Sequence, residues 1–372
     1  MTKLSHSAAS KYQQCPTMYK HHYINRIRPT IARSSLLFGG ALDLALNSIL
    51  EGKDDAEAVF HKAMEHTEVN GKVVYVPTYS EMVYAAADLD FDLLLEADYQ
   101  MLEGFFEKKL LARVENVVGS VSTLREKKKT RGLNSFTTEE ARLFGLVHWI
   151  CLRRKGLYML DAYRRKVMPK LARVISVQEA ITLTNEDGDT ITGLVDLVAD
   201  VVGHGPVILD NKSAASSYAD DSVVNSAQLS LYTHAIGDKY GTRKAGYIVL
   251  NKNLIKNRTK ICQSCGFDGS DTRHKTCNNA LEDGKRCGGE WTETFKPDVY
   301  VQIIIDDIDP ETEDLVIDNM NTINENIKTG LFTKNLDTCH NHFGGPCPYL
   351  KLCYKGDMHG LVVVADKEKK SE

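Results

Sequence analysis

Gly193-Leu194-Val195-Asp196, followed by Gly203-His204-Gly205-Pro206-Val207-Ile208-Leu209-Asp210-Asn211-Lys212, decides how this chain is read. Ile191 to Val202 is rich in β-branched and aliphatic residues, Pro206 to Leu209 is a second apolar run, and Gly203-His204-Gly205 supplies a hairpin turn between two strands. Side chains two apart on a strand share a face, so Asp210 and Lys212 stand together while Asn211 points to the other side. With Asp196 on the neighbouring strand, two carboxylates and an amine are brought within reach of one another. Hydrolysis of a phosphodiester asks for such a set. The substrate is anionic, a hard cation on oxygen ligands neutralises phosphoryl charge and acidifies water, and an ammonium orients the nucleophile and stabilises the transition state.

A D-x-K triplet alone says little, because such triplets recur on solvated strand edges, and its companions carry the weight. Downstream, Ser226 to Ile236 has apolar residues at helical spacing, which places Gln228 and Tyr232, four apart, on one helix face. The chain begins with Ser5-His6-Ser7, Tyr12, Cys15-Pro16 and Tyr19, and ends with Cys339, Cys347-Pro348-Tyr349 and Cys353. Taken in this order, the S-x-S and C-P segment, the G-x-x-D strand, the D-x-K strand, the Q-x-x-x-Y helix and the terminal cysteines resemble the RecB/AddB-type nucleases of the PD-(D/E)xK superfamily, close to the stand-alone iron–sulfur exonucleases of CRISPR adaptation and phages.

That resemblance implies an α/β fold, a restriction-endonuclease-like core with a central mixed sheet flanked by helices. It implies Asp196 and Asp210 as ligands of Mg²⁺ or Mn²⁺, Lys212 acting on the attacking water, and Gln228 and Tyr232 holding the substrate. Phe38-Gly39-Gly40-Ala41-Leu42-Asp43, read as the start of a helix running to Leu50, matches a further block in which the family commonly has histidine at the position of Asp43. An aspartate there also suits a hard cation, so Asp43 is expected to assist as a metal ligand; the alternative is a first-turn acid favoured by the helix dipole. Glu179 is a lower-ranked acidic candidate.

The nine cysteines fall into two sets and a singleton. No apolar stretch reads as a signal peptide or a membrane span, so a cytoplasmic location is expected, where clustered cysteines argue for metal rather than disulfides. The resemblance implies that Cys15, Cys339, Cys347 and Cys353 ligate a four-iron four-sulfur cluster joining the two chain ends, with zinc as the alternative. The loop between Cys339 and Cys347 is longer than the family's, which makes Cys339 the least secure ligand and His340 or His342 its substitutes. Cys262, Cys265, Cys277 and Cys287 read as a tetrahedral Zn²⁺ site in polar, Gly-rich sequence with almost no apolar core of its own. Cys151, among Trp149, Ile150 and Leu152, reads as a buried thiol.

At 372 residues, with 42% hydrophobic content and a net charge of −4, the chain can bury a large core and is not a non-specific nucleic-acid coat. A single nuclease domain over 1–372 is expected, with a mainly helical insertion or cap at 44–172, a four-cysteine insertion at 252–293 and a disordered tail at 366–372. Basic stretches at Arg125 to Arg131, Arg153 to Lys155, Arg164 to Lys166 and Lys252 to Lys260 are candidates for a backbone path. The expected partner is DNA, single-stranded or end-containing, with a helicase, a recombinase or a CRISPR-adaptation complex as further partners and no membrane. Two other readings remain: a catalytically silent DNA-binding scaffold, and a redox-sensing iron–sulfur DNA-binding protein.

Overall fold

The hairpin read from the sequence is the centre of a six-stranded sheet. The computed structural model describes residues 2–30, 34–65, 68–69, 72–73, 138–270, 272–282, 284–340 and 346–364. In chain order its main elements are β1 (Lys3–Ser5), α1 (His6–Gln14), α2 (Pro16–Tyr19), β2 (Ile27–Pro29), α3 (Ser34–Leu50), α4 (Ala56–Glu65), the short pair β3 (Glu68–Val69) and β4 (Lys72–Val73), and α5 (Thr138–Ala162). There follow β5 (Leu171–Thr184), β6 (Thr190–Val201), β7 (Gly205–Ala214), α6 (Ala227–Tyr240), β8 (Lys244–Asn251), β9 (Ile255–Cys262), β10 (Trp291–Asp298), β11 (Val301–Asp307), α7 (Pro310–Lys328), α8 (Leu350–Lys355) and β12 (Leu361–Val363).

β6 holds the sheet together. β5 lies antiparallel along one edge of β6, from Thr184↔Thr190 to Leu171↔Val201. The other edge is shared: β1 runs parallel beside Thr190 to Thr192, and β7 runs antiparallel beside Leu197 to Val201. The turn between β6 and β7 places Gly203 and Gly205 at φ of 82° and 74°, a region that L side chains avoid. β7 pairs in parallel with β8, and α6 makes the crossover that a parallel pair requires. β11 closes the edge antiparallel to β8.

Helices cover both faces. On one, α3, α4 and α5, with Tyr163 in the turn just past α5, bring Phe38, Leu46, Phe60 and Met159 against Leu197, Ala199, Val207, Leu209 and Ile248. On the other, α1, α6 and α7 pack Ala8, Leu229, Leu231 and Met320 against Val198, Ile208, Ala245 and Val249. This is the expected mixed sheet flanked by helices. Cys151 is buried in the first of these cores, as expected. The two described ends of the expected helical insertion, α4 and α5, belong to that helical layer. The acidic stretch Glu81 to Asp98, the basic run Arg125 to Arg131, His342 and the tail 366–372 lie outside the described residues.

Asp43 corrects the sequence reading of its helix. α3 begins at Ser34 and runs through Gly39 and Gly40, so Asp43 sits in its interior and not in a first turn. A Cβ at either glycine would meet nothing within 4 Å, so the pair thins one side of a continuous helix without breaking it.

Candidate active site

The site lies where the central hairpin forks. The last rung between β6 and β7 is Leu197↔Leu209, and beyond it β7 continues beside β8 alone, with Asp210 opposite Tyr247 and Lys212 opposite Val249. The other half of β6 turns to β1 instead. Asp196 and Asp210 are the first residues past that last rung. The Asn211 backbone amide, no longer needed by the ladder, donates to Asp196 Oδ2 at 2.9 Å.

β6 also changes faces here. Leu197, Ala199 and Val201 pack under α3 to α5, whereas Ile191 and Val195, of the same parity, pack under α1 and α6. On β5 the matching point is Gln178, which lies between the pairs Val177↔Leu197 and Glu179↔Val195 and has a φ of 53°. A positive φ in a non-glycine strand residue is strained and marks a local re-aiming of side chains. Gln178 Nε2 consequently faces α3, 3.4 Å from both Asp43 Oδ1 and Asn47 Oδ1.

From α6, Gln228 reaches back into the fork. Its Nε2 donates to Asp210 Oδ1 at 2.7 Å and to the Tyr232 hydroxyl at 2.8 Å, while its Oε1 accepts from Lys212 Nζ at 2.9 Å. Tyr232 in turn donates to the Leu194 carbonyl at 2.8 Å. Gly193 makes room for this ring, since a Cβ there would lie 3.1 Å from it. Expected to hold substrate, Gln228 and Tyr232 turn their polar atoms onto the carboxylate and the lysine and set their orientation.

Lys212 Nζ is 2.5 Å from Asp210 Oδ2, so the ammonium is the partner of this buried carboxylate oxygen. Asn211, on the opposite face as predicted, accepts from the Tyr163 hydroxyl at 3.2 Å. Burial raises the carboxyl of Asp210, and burial together with Asp210 raises that of Asp43. Asp196 is pushed up to about 7 by burial first, then by Asp210 and Asp43. Burial works to lower the Lys212 ammonium, but Asp210 and Asp196 hold it above its ordinary range. Three carboxylates thus share a poorly solvated fork with one ammonium, an imbalance that a divalent cation relieves. The residues fit such a cation: hard carboxylate oxygens that raise one another's proton affinity in a poorly solvated place. Their oxygens do not all gather within 4.8 Å among the described residues, and the cation would compete with Lys212 for Asp210.

Glu179 belongs elsewhere, because it accepts from Lys239 at 2.6 Å and from the Tyr240 hydroxyl at the far end of α6. Its neighbour Gln178, on the other face of β5, is the residue at the site. His6, in the S-x-S segment, is a second residue that sequence reasoning left without a role: it is half-buried, and the nearby Lys212 reinforces the effect of burial in lowering its proton affinity. A separate acidic cluster, Asp187, Asp189 and Glu325, is filled by the Lys328 ammonium and straps α7 to the turn before β6.

The four-cysteine insertion is a β9–β10 hairpin carrying its thiols at the tip. Cys262 Sγ lies 3.6 Å from Cys287 Sγ, Cys265 Sγ lies 3.7 Å from Cys277 Sγ, and all four fall within 4.8 Å of one another. A tetrahedron of sulfurs about 2.3 Å from one ion has edges of nearly this length, so the set fits a single metal. At Gly289 a Cβ would come within 2.8 Å of Cys262 Sγ.

The terminal set is also brought together, but more loosely. Cys15 Sγ accepts from the Asn335 amide at 3.5 Å, Cys339 Sγ donates to the Asn335 carbonyl at 3.4 Å, and the Cys347 amide donates to the Cys339 carbonyl at 2.8 Å. Cys353 Sγ is 3.4 Å from His21 Nε2. Burial, with Cys353, Cys339 and Cys15 around it, pushes the Cys347 thiol up to about 11. Cys339 is buried with this group, whereas His340 is exposed. No three of these thiols lie within 4.8 Å of one another. An apolar cluster of Met18, Ile27 and Tyr349 and the β2–β12 pair hold the two chain ends together beside them.

The family model of the PD-(D/E)XK nuclease superfamily matches residues 3–354, and the chain belongs to that superfamily. No curated protein matches it. No helix among the described residues is long and apolar enough to cross a membrane.

Proposed function

We propose that this member of the superfamily is a divalent-metal-dependent DNA exonuclease or end-trimming nuclease acting on single-stranded or frayed ends. The observation that carries the nuclease reading is the wiring of Asp210, Lys212, Gln228 and Tyr232, from a strand and a helix, into one hydrogen-bonded network beside Asp196, which the Asn211 amide holds. The preference for ends rests on the motif order shared with the RecB/AddB-type exonucleases. Asp196 and Asp210, with Asp43, would hold Mg²⁺ or Mn²⁺, which when bound withdraws charge from the phosphoryl oxygens and acidifies water. Lys212 orients the attacking water and donates to the oxygen on which charge develops. Gln228 keeps the ammonium and the Asp210 carboxylate in register, and the Asn211 amide fixes Asp196, so little reorganisation is needed at the moment of reaction.

The same reading gives Zn²⁺ to Cys262, Cys265, Cys277 and Cys287 as a brace for the hairpin tip. It gives a four-iron four-sulfur cluster to Cys15, Cys339, Cys347 and Cys353, since a multi-iron cluster spreads its thiolates more widely than a single ion does. The deciding experiment is cleavage of end-labelled linear DNA, single-stranded and duplex, and of circular single strands, by anaerobically purified protein with Mg²⁺ or Mn²⁺. Linear single strands should be cut and circles spared, with Asp210→Ala and Lys212→Ala each reducing the rate by at least about 10²–10³-fold. Equal cutting of circles would remove the end requirement. DNA binding without cleavage in either metal would replace the enzyme by a scaffold.

A further inference from the structure

Lys252 follows the last residue of β8, and its amide donates to the Ala214 carbonyl at 2.7 Å, which anchors it past the end of the β7–β8 ladder. Four residues separate Ala214 from Asp210, so at about 3.3 Å per residue Lys252 lies roughly 13 Å along β7 from the carboxylates. It lies toward the forked end of the sheet. Its Nζ stands over the Phe38 ring, 5.6 Å from the centroid. One helical turn before Phe38, Ser34 Oγ is 3.4 Å from His148 Nε2, and Lys155 lies two turns beyond His148 on α5. Lys252 and Lys155 are both half-buried and lie close enough to act on each other and on His148.

What sets these two lysines apart is the lack of an acid. Neither has a carboxylate within 4.0 Å among the described residues, and Lys155 weakens the proton affinity of Lys252 beyond the effect of burial. Other basic residues of the same region are paired: Arg164 with Glu57, Arg165 and Lys166 with Asp298, and, at the opposite end of β8, Lys244 with Asp307. Two half-buried ammoniums that repel each other oppose folding unless an anion compensates, and the Phe38 face compensates Lys252 only in part. Among the described residues no anion faces them, and a ligand would supply it.

We propose that Lys252 and Lys155, with Ser34 and His148 as uncharged hydrogen-bonding neighbours, form a phosphate subsite that grips the strand backbone a few nucleotides from the phosphate at Asp210. This rests on the reading of the chain as a nuclease, and it assigns the sheet end near α3 as the path of the strand. The test is binding of a labelled oligodeoxythymidylate in EDTA, where cleavage does not interfere, across a series of KCl concentrations. Lys252→Gln and Lys155→Gln should each weaken binding several-fold and lower the slope of log affinity against log salt by about 0.7, with the double variant near 1.4 and Lys252→Arg close to wild type. A dinucleotide, too short to reach from Asp210, should compete equally for wild type and double variant.

Unchanged slopes in a double variant that melts like wild type would overturn the subsite. So would equal losses for dinucleotide and long strand, or a Lys252-dependent effect of inorganic phosphate with none of DNA. Because binding is read without cleavage, a protein that never cuts but shows the slope change keeps the subsite and loses the nuclease reading. One that cuts with unchanged slopes keeps the nuclease reading and loses the subsite.

Discussion

The carboxylate fork and the thiol set at the hairpin tip are both suited to a metal, and they are built in opposite ways. The fork is held by the sheet: Asp210 is 1% exposed, and its neighbours Leu209 and Ile208 are fully buried in the two cores. The geometry exists before any cation arrives, at the cost of three carboxylates crowded out of water. The tip has little around it. Ile255, Ile261 and Phe267 are exposed, and apart from the thiols the tip is held by strand pairing, loop hydrogen bonds, Arg258 with Glu293, and Lys260 against Trp291 and the His274 carbonyl. A metal at the first site would relieve crowded charge, and one at the second would take the place of a missing apolar core.

The sharpest break of this contrast is Cys277→Ser. It should release one equivalent of metal, abolish hydrogen-exchange protection in 255–298, and leave the melting of the sheet almost unchanged. Collapse of the whole protein, or a tip that stays protected without metal, would erase the distinction.

A smaller effect is expected at the fork, from pH. The folded-state carboxyl of Asp196 is raised to about 7, against an unfolded value near about 3.9, so its contribution to stability is present below about pH 4 and lost as pH rises through about 7. The metal-free protein should lose a few degrees of melting temperature between pH 5 and pH 8 (assay values, about one proton at Asp196). Mg²⁺ or Mn²⁺ should restore more of it at the higher pH, and Asp196→Asn should flatten the dependence. A melting curve of the metal-free protein that rises over this interval in step with Asp196 would contradict the crowding argument.

The least of the three is Tyr232→Phe, which removes a donor to Leu194 and an acceptor for Gln228 while keeping the ring beside Gly193. About 1 kcal/mol of lost positioning corresponds to roughly a fivefold fall in cleavage rate, with metal affinity little changed. A null effect would mean that Gln228 holds its orientation from Asp210 and Lys212 alone.

Much of this was legible in the chain. Aliphatic runs around Gly203 and Gly205 define the hairpin, the two-residue spacing puts Asp210 beside Lys212, and the four-residue spacing puts Gln228 beside Tyr232. The failures have local causes. Glu179 stands out in the sequence as an acid, whereas the uncharged Gln178 beside it, at a positive φ, is the one that faces Asp43. The block from Phe38 to Asp43 reads as the start of a helix, yet α3 begins at Ser34 and passes through the glycine pair, whose surroundings are open.

The sequence by itself determined the element types, the face shared by Asp210 and Lys212, and the residues available to each metal, because these follow from periods of two and 3.6 residues and from donor chemistry. Tertiary structure alone decided which of those residues meet. Gln178 reaches Asp43 across 135 residues of chain, and Tyr349 reaches Ile27 across 322. It also decided that the terminal thiols lie farther apart than those of the tip, and that Lys252 and Lys155 act on each other with no acid beside them among the described residues. Local periodicity carries no information over such separations. Burial and mutual charge, which set the proton affinities of the fork, exist only once the fork has formed.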